Sequence, residues 1–90
     1  MTKEKLSPLF ESNELSVEKK SLVLFNDEVN TFDFVIETLI DVCGHDPLQA
    51  EQCTILVHFK GKCAVKSGTY KELKPVYTEM LNRKLTVSIK

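Results

Sequence analysis

The chain has 90 residues, 42% hydrophobic and 28% charged, with 12 Lys and Arg against 13 Asp and Glu for a net charge of -1. That is enough for one domain around one modest core, and too apolar for wholesale disorder. A balance so near neutrality, with no local cluster of Lys and Arg, gives no electrostatic case for a nucleic-acid partner, and no apolar run is long enough to span a membrane.

Met1 to Lys20 is rich in Lys, Glu and Ser, contains Ser7-Pro8 and ends in Glu18-Lys19-Lys20, with Leu6, Leu9, Phe10 and Leu15 scattered through it at no sustained period. It is expected to be a flexible N-terminal extension, with the folded core in residues 21–90. Met1 starts no signal-peptide pattern, so the chain reads as cytoplasmic.

Leu22 to Phe25 is a short continuous apolar run, the pattern of a buried strand. It breaks at Asn26-Asp27-Glu28. From Thr31 the period changes: Phe32, Val35, Ile36, Leu39, Ile40 and Cys43 recur on one helical face. Thr31 suits the N-cap, Asp33 suits the positive end of the helix dipole, and Gly44 can close the helix in a left-handed conformation.

Asp46-Pro47 starts a second helix at once, with Asp at the N-cap and Pro at the first helical position, where its missing N–H costs nothing. This helix runs to about Lys60 and stops at Gly61. Leu48, Ile55, Leu56 and Phe59 fall on one side, and Ala50, Cys53 and Val57 on another. A helix apolar on two sides is either sandwiched or offers one side to a ligand.

Lys62 to Lys66 reads as a strand between Gly61 and Gly68. Leu73, Val76, Tyr77, Met80 and Leu81 mark a third helix, with Thr69 as a possible cap and Pro75 inside the pattern, so a distorted or late first turn is expected. Leu85, Val87 and Ile89 alternate with Thr86 and Ser88 as a half-buried strand. The order is β-α-α-β-α-β: an α+β fold, one small domain, with a three-stranded antiparallel sheet packed against three helices.

The residues give little support to catalysis. His45 and His58 are present, but no G-x-S-x-G elbow surrounds any Ser, and the glycines form no phosphate-cradling loop. His45, Asp46 and His58 are the right types for a metal site without a recognised spacing. Cys43, Cys53 and Cys63 match no metal or redox motif, since no C-x-x-C is present, and they read as small core hydrophobes. No enzyme activity, cofactor or metal is expected.

Binding fits better. The break at Asn26 puts an amide and two carboxylates, Asp27 and Glu28, beside the aromatic Phe32, which is the composition of a site for a cationic, apolar ligand. Thr54 and His58, one helical turn apart with Val57 beside them, form a second candidate half-site. Taken alone, Asn26 and Asp27 are ordinary turn formers and His58 an ordinary partly buried histidine. Spacing does not join the two.

A resemblance does join them. Leu24-Phe-Asn-Asp-Glu-Val-Asn-Thr-Phe-Asp-Phe-Val35, followed by Leu56-Val-His-Phe-Lys-Gly-Lys62, resembles the ClpS family of adaptor proteins. Members carry an aromatic-Asn-Asp-acidic segment before a helix containing Phe-Val, then Val-His-aromatic-x-Gly-Lys at the end of the second helix. The resemblance covers about Leu22 to the C-terminus and implies the same β-α-α-β-α-β fold. It implies recognition of proteins whose first residue is Leu, Phe, Tyr or Trp, the primary N-degrons of the N-end rule. Delivery to a ClpA-type or ClpC-type AAA+ unfoldase, through its N-terminal domain, and degradation by the ClpP peptidase would follow.

In that reading Asn26 and His58 bind the free α-amino group, an ammonium with three donors, while Asp27 supplies charge and holds the first backbone groups. Phe32, Val35, Thr54, Val57 and Leu85 line the pocket for the first side chain, and Glu28, Asn30 and Thr31 are loop contacts. The chain departs from the common family residues at Phe32 and Thr54, where Met is frequent, at Thr31, where Pro is usual, and at Glu28, where Asp is frequent. A monomer is expected, and charge balance and hydropathy argue against a nucleic-acid or membrane partner. A different class also fits the residues alone: a structural or ribosome-associated interaction domain of the same shape, without an amine pocket.

Overall fold

The computed structural model describes residues 18–90, so positions 1–17 of the expected extension lie outside the described residues. Six elements follow in the expected order: β1 (Lys20–Phe25), α1 (Phe32–Cys43), α2 (Pro47–Lys60), β2 (Lys62–Gly68), α3 (Tyr70–Asn82) and β3 (Thr86–Ile89). Both expected strands at the start of the chain and after α2 prove longer, β1 beginning at Lys20 and β2 reaching Gly68. The three strands form an antiparallel sheet in the order β2-β1-β3, so the first strand lies in the middle.

Local chemistry sets the helix ends. Thr31 caps α1, its hydroxyl accepting the Phe34 N–H, and Gly44 ends it at φ 75. Asp46 caps α2 through the Gln49 N–H, with Pro47 at the first position, and Gly61 ends it at φ 94. Such caps satisfy N–H groups that the helix itself leaves open.

α3 departs from expectation. It starts regularly at Tyr70 despite Pro75, because Thr69 and Glu72 form a reciprocal capping box: the Thr69 hydroxyl accepts the Glu72 N–H at 3.1 Å, and the Glu72 carboxylate accepts the Thr69 N–H at 2.9 Å. Pro75 lacks only the N–H that would have reached Lys71, an exposed residue, so the helix continues through it.

α1 packs mainly on α2, α2 lies against β2, and α3 lies against β3. Their core unites Leu22, Leu24, Val65 and Val87 of the sheet with Val35, Leu39, Cys43, Ala50, Cys53, Val57, Leu73 and Met80 of the helices. Leu22, Leu24, Leu39, Leu73 and Met80 are fully buried, each contributing roughly 1.5–3 kcal/mol. Only one apolar side of α2 enters this core, and Leu48, Ile55, Leu56 and Phe59 stay exposed.

The β1–β2 ladder carries an irregularity. Leu22 pairs with Lys66 and Val23 with Ala64, which leaves Val65 without a partner on β1. Buried His45 takes up the loose backbone there, with Nε2 2.7 Å from the Val65 carbonyl. A carbonyl only accepts, so Nε2 carries the proton. On the other side of the domain, Arg83 donates to the buried Thr38 hydroxyl at 3.3 Å and to Glu79 at 3.2 Å, tying α1 to the end of α3. Among the described residues, no helix is long and apolar enough to cross a membrane.

Candidate functional site

The polar break after β1 becomes an ordered loop because Asp27 organises it. Its Oδ1 accepts the N–H groups of Val29 and Asn30, both at 2.9 Å, and its Oδ2 accepts the Asn30 side-chain amide at 3.0 Å. The same Asn30 amide donates to the Lys84 carbonyl, also at 3.0 Å. Asn30 thus ties the β1–α1 loop to the α3–β3 turn. Partial burial pushes the Asp27 carboxyl up, but the hydrogen bonds from Asn30 and Val29 outweigh it and hold the group below the ordinary carboxylate range.

Asn26 is fixed from another direction. Its backbone N–H donates to the Gly61 carbonyl at 2.9 Å, joining the end of β1 to the end of α2. The Asn26 side chain is exposed and hydrogen-bonds none of the described residues. His58, in the last turn of α2, is held by aromatic contacts instead. Its ring meets Phe32 edge-on at 5.9 Å between centroids and Phe59 at 4.7 Å. Its ring nitrogens also bond none of the described residues, so both half-sites keep free valences.

These elements surround one cavity of about 380 Å³, lined by Leu24, Phe25, Asn26, Asp27, Glu28, Asn30, Phe32, Val35, Thr54, Val57, His58 and Leu85. Asn26, Asp27 and His58, which spacing left apart, share it with Phe32, Val35, Thr54, Val57 and Leu85, and Glu28 and Asn30 also reach it. Thr31 does not line it. That residue works as the cap of α1. Leu24 and Phe25 complete the wall, and sequence reasoning missed them because a buried strand run gives no sign of which end meets a cavity.

Polarity divides the cavity. Val35, Thr54, Val57 and Leu85 are buried, and the Thr54 hydroxyl is already spent on the Ala50 carbonyl at 2.8 Å, so the floor is effectively apolar. Phe32 is 41% exposed and stands at the mouth. Around that mouth lie the Asn26 amide, the Asp27 and Glu28 carboxylates and the His58 imidazole. The arrangement can take a cation at the rim and an apolar group below it.

His45 commits Nε2 to the Val65 carbonyl, while its buried Nδ1 has no partner among the described residues, and Asp46 serves as the α2 cap. Among the described residues, no three His, Cys, Asp or Glu side chains gather to hold a metal ion. Cys43 and Cys53 are buried and Cys63 half-buried, all three as free thiols.

Comparison with known protein families matches residues 17–87 to the family described as "ATP-dependent Clp protease adaptor protein ClpS". The matched span holds every residue of the cavity wall.

Proposed function

The chain belongs to the ClpS family of Clp protease adaptors, and from that premise we propose that it selects proteins beginning with a bulky hydrophobic residue and delivers them to a ClpA-type or ClpC-type unfoldase for degradation by ClpP. The observation that carries the reading is the shared cavity, in which Asn26, Asp27 and His58 border the same space as Phe32, Val35, Thr54, Val57 and Leu85. At about 380 Å³ it lies toward the low end of ligand-pocket volumes and has room for one large side chain.

The chemistry follows from two requirements. A free α-amino group is largely an ammonium near neutral pH, and losing water costs it dearly unless its donors find acceptors. Asn26 Oδ1 and a bare nitrogen of His58 supply two acceptors, and the ionised Asp27 supplies charge. The first side chain then enters the apolar floor. Burying a Phe or Leu side chain gives roughly 1.5–3 kcal/mol, and a charge-assisted hydrogen bond about as much. Neither part suffices alone, so the receptor reads both features at once. Acetylation removes the charge and two donors, and a β-branched first residue crowds the mouth at Phe32.

The expected extension, residues 1–20, would serve the transfer step: deleting it up to the start of β1 is expected to spare peptide binding and impair degradation. Binding is tested by fluorescence anisotropy of short peptides that differ only at the start: Phe, Leu, Trp, Ile, Ala and acetylated Phe, against wild type and Asn26→Ala. The first three bind the wild type, the last three do not, and Asn26→Ala loses all. Six peptides that bind alike, or none that binds, would defeat the reading and favour an interaction domain without an amine pocket.

A further inference from the structure

Two thiols just behind the cavity wall face each other. Cys53 on α2 and Cys63 on β2 place their Sγ atoms 2.8 Å apart, ten residues apart in sequence. The fold makes this approach. The chain reverses at Gly61, so the second residue of β2 runs back under the second turn of α2, and the pairing of Cys63 with Leu24 sets it beside a core residue of the central strand. Cys43 is not part of the pair, since its sulfur meets Met80 Sδ at 3.7 Å.

The two thiols differ in access. Cys63 is half-buried and reachable, whereas Cys53 is 8% exposed. Burial, helped by the neighbouring Cys63, pushes the Cys53 thiol up to about 12, so Cys53 is not the group that meets a reagent first.

We propose that Cys53 and Cys63 are a dithiol site that small disulfides, such as oxidised glutathione, convert reversibly to an internal disulfide clasping α2 to β2. The Cys63 thiolate attacks one sulfur of the glutathione disulfide, forming a mixed disulfide and expelling one glutathione thiolate, which leaves with the proton Cys63 gave up. Cys53 then loses its proton and attacks the Cys63 sulfur. The new Cys53–Cys63 bond expels the second glutathione thiolate, which takes that proton. The protein is oxidised by two electrons and the reagent is reduced to two glutathione thiols. Closing the bond needs a movement of about 0.8 Å to reach a covalent length of about 2.05 Å. Thr54, next to Cys53, and Leu24, across from Cys63, both line the cavity, so the clasp fixes one of its walls.

The test uses the full chain, equilibrated at a series of reduced-to-oxidised glutathione ratios, quenched in acid, unfolded, alkylated and weighed intact. Under oxidising ratios the wild type is expected to carry one alkyl group, on Cys43, and no glutathione, and excess reductant should return three. Cys53→Ser and Cys53→Ala are expected to stop at one glutathione on Cys63. Oxidised wild type should melt about 10 °C higher than reduced, with no such rise in either variant. Three alkylated thiols at every ratio, a glutathione adduct that persists on the wild type, or disulfide-linked dimers would each overturn the proposal. No peptide is bound in these measurements, so their outcome is independent of the adaptor reading.

Discussion

Replacing Asn30 by Ala removes one amide that serves two elements, the Asp27 carboxylate and the Lys84 carbonyl. A hydrogen bond to a charged group is worth roughly 1.5–3 kcal/mol when dry, but Asp27 and Asn30 are half-buried, so about 1 kcal/mol is retained after water competes. The bond to the surface carbonyl of Lys84 adds about 0.5 kcal/mol. The expected loss is therefore about 1.5 kcal/mol, roughly tenfold in the folding equilibrium. Urea unfolding of wild type, Asn30→Ala, Asp27→Ala and the double variant isolates the shared part, which should be about 1 kcal/mol of coupling. The pH dependence supplies a second check. The folded carboxyl of Asp27 is held below its unfolded value, so its contribution is fully present above about pH 3.9 and is lost as pH falls through the lower folded value. The gap between wild type and Asn30→Ala should narrow in that acid range. Coupling below about 0.3 kcal/mol at pH 7 would refute the assignment of Asp27 and Asn30 as a unit that orders the loop.

Three other outcomes are expected. Lys84 is the one non-glycine residue at positive φ (69°) among the described residues, so Lys84→Gly should raise the urea midpoint by about 0.5 kcal/mol of stability, the relief of left-handed strain exceeding the added freedom of the unfolded chain; a lower midpoint would mean that the Lys84 side chain holds the turn. A Cβ on Gly68 would stand 2.7 Å from Glu72 Oε1, and the backbone there has φ 158, which L side chains rarely adopt, so Gly68→Ala should cost about 2 kcal/mol, from backbone strain and a broken capping box together, and about 1 kcal/mol less in a Glu72→Ala background. Equal costs in the two backgrounds would place the damage elsewhere. Thr54→Met fills the cavity floor, and in the anisotropy assay it should weaken a Trp-initiated peptide about tenfold more than a Leu-initiated one. Uniform weakening of both would show that Thr54 does not set pocket depth.

Much of the fold is legible in the sequence where the physics is short-ranged. Thr31 and Gly44, and Asp46-Pro47 and Gly61, mark their helices because a cap acts on N–H and carbonyl groups only a few residues away. Pro75 misled for the same reason: its local cost is real, but the Thr69–Glu72 box secures the first turn before the proline is reached. The unpaired Val65 and the service of His45 to its carbonyl were invisible, because register along β1 is settled by the whole sheet. Of the site, residue types were readable and adjacency was not. Asn26 meets the end of α2 through a backbone bond to Gly61, 35 positions away, which no pattern of side chains encodes. The thiol pair was missed likewise, since a spacing of ten becomes a contact only when a helix and a strand fold back on each other at Gly61.

The central place of β1 bears on the order in which the domain can assemble. Its partners are Lys62–Gly68 on one side and Thr86–Ile89 on the other, so the first of the described strands to be made is flanked by the last of them. A chain emerging from synthesis must hold Leu22 and Leu24 without ladder partners until β2 is complete, and it gains its second neighbour only when residue 89 is available. α1 and α2, consecutive and packed on each other, can pair well before that. Such a wiring delays cooperative closure and favours folding after the helices have gathered. The exposed apolar strand is the part that needs shelter in the interval, and residues 86–89 are what finally cover its free edge.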